Sequence, residues 1–341
     1  MPAPVRRAKT TKRAEPYTAA KKAPFAMNKK FGQHLLRNPG ILDKIIAAAE
    51  IKKSDTVLEI GPGTGNLTLK LLPICNRVRA LDIDERMVAE VKKRAFSNGH
   101  SNLDVALGNA LKMDLGPFDV CAANLPYQIS SAFVFKLVAH RPLFRSAVLM
   151  FQLEFAERMM AKAGDKDYCR LSLNTQLFFR VDRVCKVDRN SFNPPPKVDS
   201  MVVRLRPRKD LPKVDFREWD GLVRILFTRK NKTMAASFKP HLGILLKNAR
   251  LLADLRGEEF TLPSEAAMKA VIQEVIVECG LENQRARHMD SDAVLGLLVA
   301  CNRRGIHFNN KLQTRVQSDD PLLGLTEEDF LSLAEETTID E

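Results

Sequence analysis

At 341 residues and 45% hydrophobic side chains, the chain can bury a substantial core, and its length suggests one large domain plus a smaller one. A formal charge of +13, from 54 Lys and Arg against 41 Asp and Glu, favours a polyanion such as nucleic acid over a neutral small substrate, while charge alone leaves a membrane surface open. No apolar run is long enough to span a bilayer and no N-terminal apolar segment resembles a secretion signal, so an intracellular chain that does not enter a membrane is expected.

Residues 1–25 carry Arg6, Arg7, Lys9, Lys12, Arg13, Lys21 and Lys22 among Pro, Ala and Thr, and are expected to be a disordered basic tail. Such a tail reads as a nuclear or nucleolar address, as an electrostatic arm for RNA, or as a solvated terminus; as a mitochondrial transit peptide its Lys-rich, proline-broken pattern is poor. From Asn38-Pro39, a helix cap and first turn, Ile41, Leu42, Ile45, Ile46 and Ala49 recur at helical spacing. Strand-like runs follow at 56–60, 78–81, 103–107, 119–123 and 147–151, with a periodic segment through Leu67 to Leu72 and a helix from about Glu85 to Phe96. Strands alternating with helices predict a doubly wound α/β domain whose ligand sits at the carboxyl ends of a mainly parallel sheet. Past a linker near Pro212, Trp219, Leu222, Val223, Leu226 and Phe227 form one helical stripe, and Met268, Val271, Ile272, Val275 and Ile276 another. The predicted organisation is a basic tail over 1–25, an α/β domain over 26–208, a helical domain over 209–310 with Trp219 in its core, and an acidic flexible tail over 311–341. Six dispersed cysteines, Cys75, Cys121, Cys169, Cys185, Cys279 and Cys301, lack a Cys-x-x-Cys pair or clustered histidine, so no metal site is expected and reduced core thiols are.

Two motifs carry chemistry. Glu59-Ile60-Gly61-Pro62-Gly63-Thr64-Gly65 turns tightly after the first strand of the sheet, where glycines let a ligand approach the backbone. No Gly-Lys-Ser/Thr follows, which excludes a Walker loop, and a nicotinamide site prefers Gly-x-Gly-x-x-Gly. Glu59 ahead of the glycines instead matches the first motif of methyltransferases that use S-adenosylmethionine. Asp82, ending the next strand, can accept both ribose hydroxyls of such a cofactor, and Asn109 can bond its adenine amino group; each also reads as a solvated acid or a loop amide. Asn124-Leu125-Pro126-Tyr127 ends a later apolar run. It reads either as a strand and tight turn with a buried tyrosine, or as a site acting on the amino group of a base. In the second reading carbonyl oxygens of Asn124 and the backbone accept the N–H hydrogens, Pro126 fixes the turn, and Tyr127 stacks an extruded base.

With these residues in place, the chain from Lys29 to about Phe308 resembles the ribosomal RNA adenine dimethyltransferases, in their eukaryotic branch. Phe31-Gly32-Gln33-His34-Leu35-Leu36 is similar to the family's opening cofactor motif, and Phe192-x-Pro194-x-Pro196-x-Val198-x-Ser200 to its late motif. The resemblance implies a Rossmann-like S-adenosylmethionine-dependent methyltransferase domain with a reversed last strand, followed by a smaller all-helical C-terminal domain. It implies Gln33, His34, Leu36, Glu59, Gly61, Gly63, Gly65, Asp82, Ile83, Asn109, Ala110 and Asn124 at the cofactor, and Phe192 joining Asn124, Leu125, Pro126 and Tyr127 at the target base. The implied reaction is dimethylation of N6 of two adjacent adenosines in the 3′-terminal hairpin loop of small-subunit rRNA. The implied setting is a pre-ribosomal particle in the nucleus or nucleolus, with the chain acting as a monomer. Asp82 stands where Glu is commoner and Asn109 where Asp is usual, departures that bear on cofactor affinity. Arg229, Lys230 and Lys232, with Arg224 and Lys239 nearby, are expected to grip RNA phosphates, and Arg204, Arg206 and Arg208 form a second candidate cluster. The competing classes are an RNA-binding assembly factor with little catalytic need, a macrolide-resistance methyltransferase acting on large-subunit RNA, and, more remotely, a nicotinamide dehydrogenase.

Overall fold

The structure, a computed structural model, describes residues 34–308 apart from 211, 213, 258 and 260–263; the tails at 1–25 and 311–341 and the start of the opening motif through Gln33 lie outside the described residues. In chain order the elements are β1 (Leu35–Leu36), α1 (Pro39–Ala49), β2 (Thr56–Ile60), α2 (Thr68–Leu71), β3 (Arg77–Asp82), α3 (Glu85–Ser97) and β4 (Leu103–Leu107). Then come β5 (Val120–Asn124), α4 (Ser130–Ala139), β6 (Ser146–Gln152), α5 (Leu153–Met160), α6 (Arg170–Phe178), β7 (Phe179–Val187), β8 (Phe192–Asn193) and β9 (Ser200–Pro207). Five helices follow: α7 (Phe216–Thr228), α8 (Met234–Phe238), α9 (Leu242–Arg256), α10 (Glu265–Glu278) and α11 (Ser291–Arg303).

Local chemistry sets the helix starts. The Asn38 side chain accepts the Gly40 N–H at 3.0 Å with Pro39 in the first turn, and Asp84 caps α3 by accepting the Arg86 N–H at 3.0 Å. The periodic run at Leu67 to Leu72 gives only the four-residue α2, because Pro73 follows and cannot continue a helix.

Seven strands form one sheet in the order β4-β3-β2-β5-β6-β9-β7. Neighbours from β4 through β6 are parallel, while β9 runs antiparallel to both β6 and β7, which is the Rossmann-like α/β fold with a reversed last strand. Alternate residues of the central strands enter different cores, as the period of two in a strand requires. Val57, Val120, Ala122 and Val148 pack with Ile41, Leu42 and Ile45 of α1, whereas Leu58, Ile60, Cys121, Ala123 and Leu149 pack under α4 and α6. That second core runs on without a break into α7, α10 and α11 around the fully buried Trp219. Trp219 Nε1 donates to Asn174 Oδ1 at 2.9 Å, and Asn174 Nδ2 donates to Asp220 at 3.2 Å, so a buried polar chain joins α6 to α7.

One expectation is corrected here. Arg204 and Arg206 do not form a phosphate-binding row, since Arg204 pairs with Glu50 at 2.7 Å and Arg206 with Asp182 of the adjacent β7 at 2.7 Å. Asp182 across the β7–β9 ladder and Glu50 at the end of α1 hold these guanidinium groups against the fold. The six cysteines are free thiols; Cys75, Cys121, Cys169 and Cys301 are buried as expected, whereas Cys185 and Cys279 are partly exposed.

Trp219→Phe leaves Asn174 Oδ1 without its indole donor and opens space in the shared core. Urea denaturation followed by circular dichroism should show a loss of about 2 to 4 kcal/mol; an unchanged midpoint would remove the indole bond as a source of stability.

Candidate active site

β2 and β5 are parallel neighbours, with Val57 beside Val120 and Leu58 beside Cys121. The chain order reverses at this pair, so the loops leaving both carboxyl ends open into one crevice. Its walls include His34, Leu36, Glu59, Gly61, Gly63, Asp82, Ile83, Asn124, Leu125, Pro126 and Tyr127, which brings most of the sequence-predicted site residues together. Gly65, Asn109, Ala110 and Phe192 are not among its walls.

The glycine loop is shaped by what presses on it. Gly63 has φ +55°, and a Cβ there would meet Leu35 of β1 at 2.8 Å; Gly65 has φ +83°, and a Cβ would meet Val91 of α3 at 2.7 Å. Only glycine satisfies both constraints. The Gly63 N–H donates to Asp82 Oδ2 at 3.2 Å and the Asp84 N–H to Asp82 Oδ1 at 2.9 Å. Each carboxylate oxygen keeps acceptor capacity, as a ribose diol would use. Ile83 beside it is 47% exposed, an apolar surface in the crevice suited to the face of a planar ring. Asn109 already accepts the Leu111 N–H through Oδ1 at 2.9 Å, which makes it first a loop cap.

Glu59 is almost fully buried beneath the loop and accepts from the Thr68 hydroxyl at 2.7 Å. Burial pushes its carboxyl up to about 8; the Thr68 bond opposes the rise and the nearby Asp82 charge adds to it. Burial likewise raises Asp82, against the N–H groups of Asp84 and Gly63.

The Asn124 side chain donates through Nδ2 to the His34 carbonyl at 3.1 Å. A carbonyl can only accept, so this bond fixes the amide and leaves Oδ1 as the acceptor for a ligand. Pro126 holds φ −57° ahead of a short turn, and Leu125 sends its side chain into the core, so only its backbone can serve the site. The Tyr127 hydroxyl pairs with Ser200 at 2.7 Å, and its ring is stacked by His34 at 6.1 Å between centroids. His34 Nδ1 also lies 2.9 Å from the Pro194 carbonyl. Phe192 is only 4% exposed, paired with Leu36 across β1 and β8 and packed in the core with Ile41 and Leu42.

Residues missed in the sequence also line the crevice: Leu42 and Ile45 from α1, Thr64 and Asn66 from the loop, and Met87 from α3. Thr64 and Asn66, on either side of the last glycine, were the two carrying a visible polar signal. A second cleft lies between the α5–α6 segment and the end of α7, with Arg158, Lys166, Arg229, Lys230 and Lys232 on its walls. Lys232 and Arg229 are exposed, Lys230 bridges to the Tyr168 carbonyl at 3.0 Å, and Arg224 pairs with Asp220 at 3.1 Å.

A profile described as ribosomal RNA adenine dimethylase matches residues 25–251. The chain belongs to this family. It is 49% identical over 301 residues to a probable dimethyladenosine transferase of Drosophila melanogaster, covering 87% of this chain and 98% of that one. Identity is 45% to the dimethyladenosine transferase of Schizosaccharomyces pombe, over 83% of this chain and 93% of that protein. The crystal structure of a dimethyladenosine transferase from Plasmodium falciparum superposes with a TM-score of 0.77 at 50% identity, covering 81% of this chain and all of that one. The 23S rRNA methyltransferase ErmE is more distant, with a TM-score of 0.56 and 27% identity over 78% of this chain and 99% of its own. The dimethylase is therefore an rRNA adenine methyltransferase dependent on S-adenosylmethionine, and the glycine loop, Asp82 and Ile83 have the chemistry to hold that cofactor.

Glu59 gives the dimethylase a pH-dependent stability. Its carboxyl ionises near 4.5 when unexposed to burial and near 8 in the fold, so between those values the native state holds a proton that the unfolded chain lacks. The associated stabilisation is full below the lower value and lost as pH rises through the upper one. Glu59→Gln keeps an acceptor for Thr68 and cannot titrate. Urea midpoints should therefore move in favour of the variant between about pH 5 and about pH 9; parallel pH profiles would contradict the buried-acid assignment.

Proposed function

We propose that this dimethylase places two methyl groups on N6 of each of two adjacent adenosines in the 3′-terminal hairpin loop of small-subunit (18S) rRNA. It acts as a monomer on a pre-ribosomal particle in the nucleus and nucleolus, as a step of small-subunit biogenesis. The observation that carries the chemistry is the fixed Asn124 amide, whose Oδ1 is left to accept beside the cofactor loop. Small-subunit RNA as the target rests on the family resemblance, and it is favoured by identities of 45 to 50% to dimethyladenosine transferases against 27% to the 23S enzyme. The nuclear setting rests on the basic segment 1–25.

Bound S-adenosylmethionine supplies a methyl group already activated by its sulfonium charge. The chain's residues do the positioning. Asn124 Oδ1 and the Leu125 carbonyl accept the two N6 hydrogens, which localises the nitrogen lone pair and turns it toward the methyl group. Pro126 keeps these acceptors rigid, and Tyr127 supports the extruded base once His34 has left its ring. Base stacking of this kind contributes about 1 to 3 kcal/mol. A hairpin loop suits the site because its bases are already partly unstacked. The N6 proton leaves to water after transfer, so alignment rather than a strong base provides the rate.

Asn124→Ala should lower methyl transfer to small-subunit rRNA about a hundredfold, the scale of misalignment at a reacting centre, with RNA affinity retained. Depleting the protein should also remove N6-dimethyladenosine from the small-subunit 3′ end. Equal transfer by the variant, or unchanged small-subunit RNA after depletion, contradicts this assignment; loss of a large-subunit mark would point to the ErmE-like target instead.

Arg229 and Lys232 are proposed to neutralise RNA phosphates from the second cleft. Replacing both by Ala should weaken binding of the 3′-terminal hairpin and flatten the dependence of log K on log salt by about 1.4, at ~0.7 per single-strand phosphate contact. A salt slope equal to the wild type's would exclude them from the interface.

A further inference from the structure

Asn66 sits at the hinge between the two halves of the site. Its Nδ2 donates to the Leu36 carbonyl of β1 at 3.0 Å, and its Oδ1 accepts from the Arg94 guanidinium at 3.1 Å. Arg94 also donates to the Thr64 carbonyl, so one cation from α3 holds both the loop backbone and the Asn66 side chain. A guanidinium can only donate and a carbonyl can only accept, so the amide has one orientation that satisfies both partners. Val91, one turn earlier on α3, abuts Gly65, which seats the helix directly against the loop.

β1 needs this support. Among the described residues it is two residues long and pairs with β8 at Leu35↔Asn193 and Leu36↔Phe192, extended by one bond from the Arg37 N–H to the Ser191 carbonyl at 2.9 Å. Yet it places Leu35 against Gly63 on the cofactor side, and the residue before it offers the carbonyl that fixes Asn124 on the base side. So short a ladder is not stable by itself.

We propose that Asn66, oriented by Arg94, is a positioning residue: it fixes β1 over the cofactor loop and, through β1, the amide of Asn124. The assignment rests on the methyl-transfer reading above for its catalytic half and stands apart from it for its cofactor-binding half. Without the Asn66 bond, β1 lifts from the loop, the cofactor crevice loses its Leu35 and Leu36 wall, and the His34 carbonyl no longer fixes Asn124.

Asn66→Asp separates this role from simple scaffolding. A carboxylate keeps, as an ion pair, the contact to Arg94 and so the attachment of α3, but it faces the Leu36 carbonyl with a second acceptor. Calorimetry with S-adenosylmethionine, in the absence of RNA, should show Kd raised about tenfold, the scale of one hydrogen bond replaced by an unsatisfied contact, while the melting temperature stays at the wild-type value. At saturating cofactor the single-turnover rate on small-subunit rRNA should also fall. That rate loss should vanish in an Asn124→Ala background, where there is no amide left to orient. Arg94→Ala should weaken cofactor binding less, and should add nothing to Asn66→Ala. A Kd for Asn66→Asp within twofold of the wild type overturns the proposal, as does a rate loss that persists undiminished beside Asn124→Ala. Absence of methyl transfer by the wild-type protein would instead overturn the proposed function, and the Kd series would still decide the role of Asn66.

Discussion

Val57 and Leu58 of β2 run beside Val120 and Cys121 of β5, and this parallel pairing carries two unrelated pieces of sequence out of the sheet at the same end. One becomes the glycine loop, the other Asn124-Leu125-Pro126-Tyr127. Because both strands are buried on both faces, neither can slide without turning apolar side chains out of the two cores. The rigidity of the sheet interior thus sets the distance between the cofactor cradle and the base-amine acceptors. Everything at the surface of the crevice, from Asp82 to Tyr127, is adjustment around that fixed separation.

Electrostatics in the crevice follow from the same burial. Two carboxyl groups, Glu59 and Asp82, lie close together in a poorly hydrated corner, and both are held above the usual carboxylate range. Keeping Glu59 neutral lessens repulsion there, against the Thr68 hydroxyl, whose donated bond favours the ionised form. The division is one of roles as well as charge: Glu59 braces the loop from beneath, while Asp82 lines the crevice and grips the loop through the Gly63 N–H. The second cleft has the opposite character, with cations along its walls.

Much of this was readable from the sequence because the signals were local. Alternating strands and helices, the Asn38 cap and the glycine spacing each lie within a few residues of chain, and each gave the element found. The family resemblance supplied the reversed β9, which no local pattern specifies. β7 escaped the reading because its outward residues Arg180, Arg183 and Lys186 break up an apolar run. What misled was long-range. Arg204 and Arg206 looked available until Asp182 and Glu50 were brought beside them. Phe192, which the resemblance places at the base, pairs with Leu36 and is buried in the core, a contact 156 residues away along the chain that no local pattern announces. Asn66 gave a polar signal with no partner in view, since Leu36 and Arg94 lie 30 and 28 residues away along the chain.

The strand that joins the two half-sites does so with its backbone. Asn66 and Asn124 both bond to carbonyl oxygens of the segment His34 to Leu36, atoms that nearly any amino acid would present in the same place. The joint therefore depends on where the backbone of this segment runs, while its side chains serve other ends: the His34 ring lies on Tyr127, Leu35 presses on Gly63, and Leu36 is buried in the core. A substitution here that keeps the backbone course keeps both asparagine bonds, whereas proline, which alters that course, breaks the alignment of the cofactor cradle with the base pocket at a distance from either.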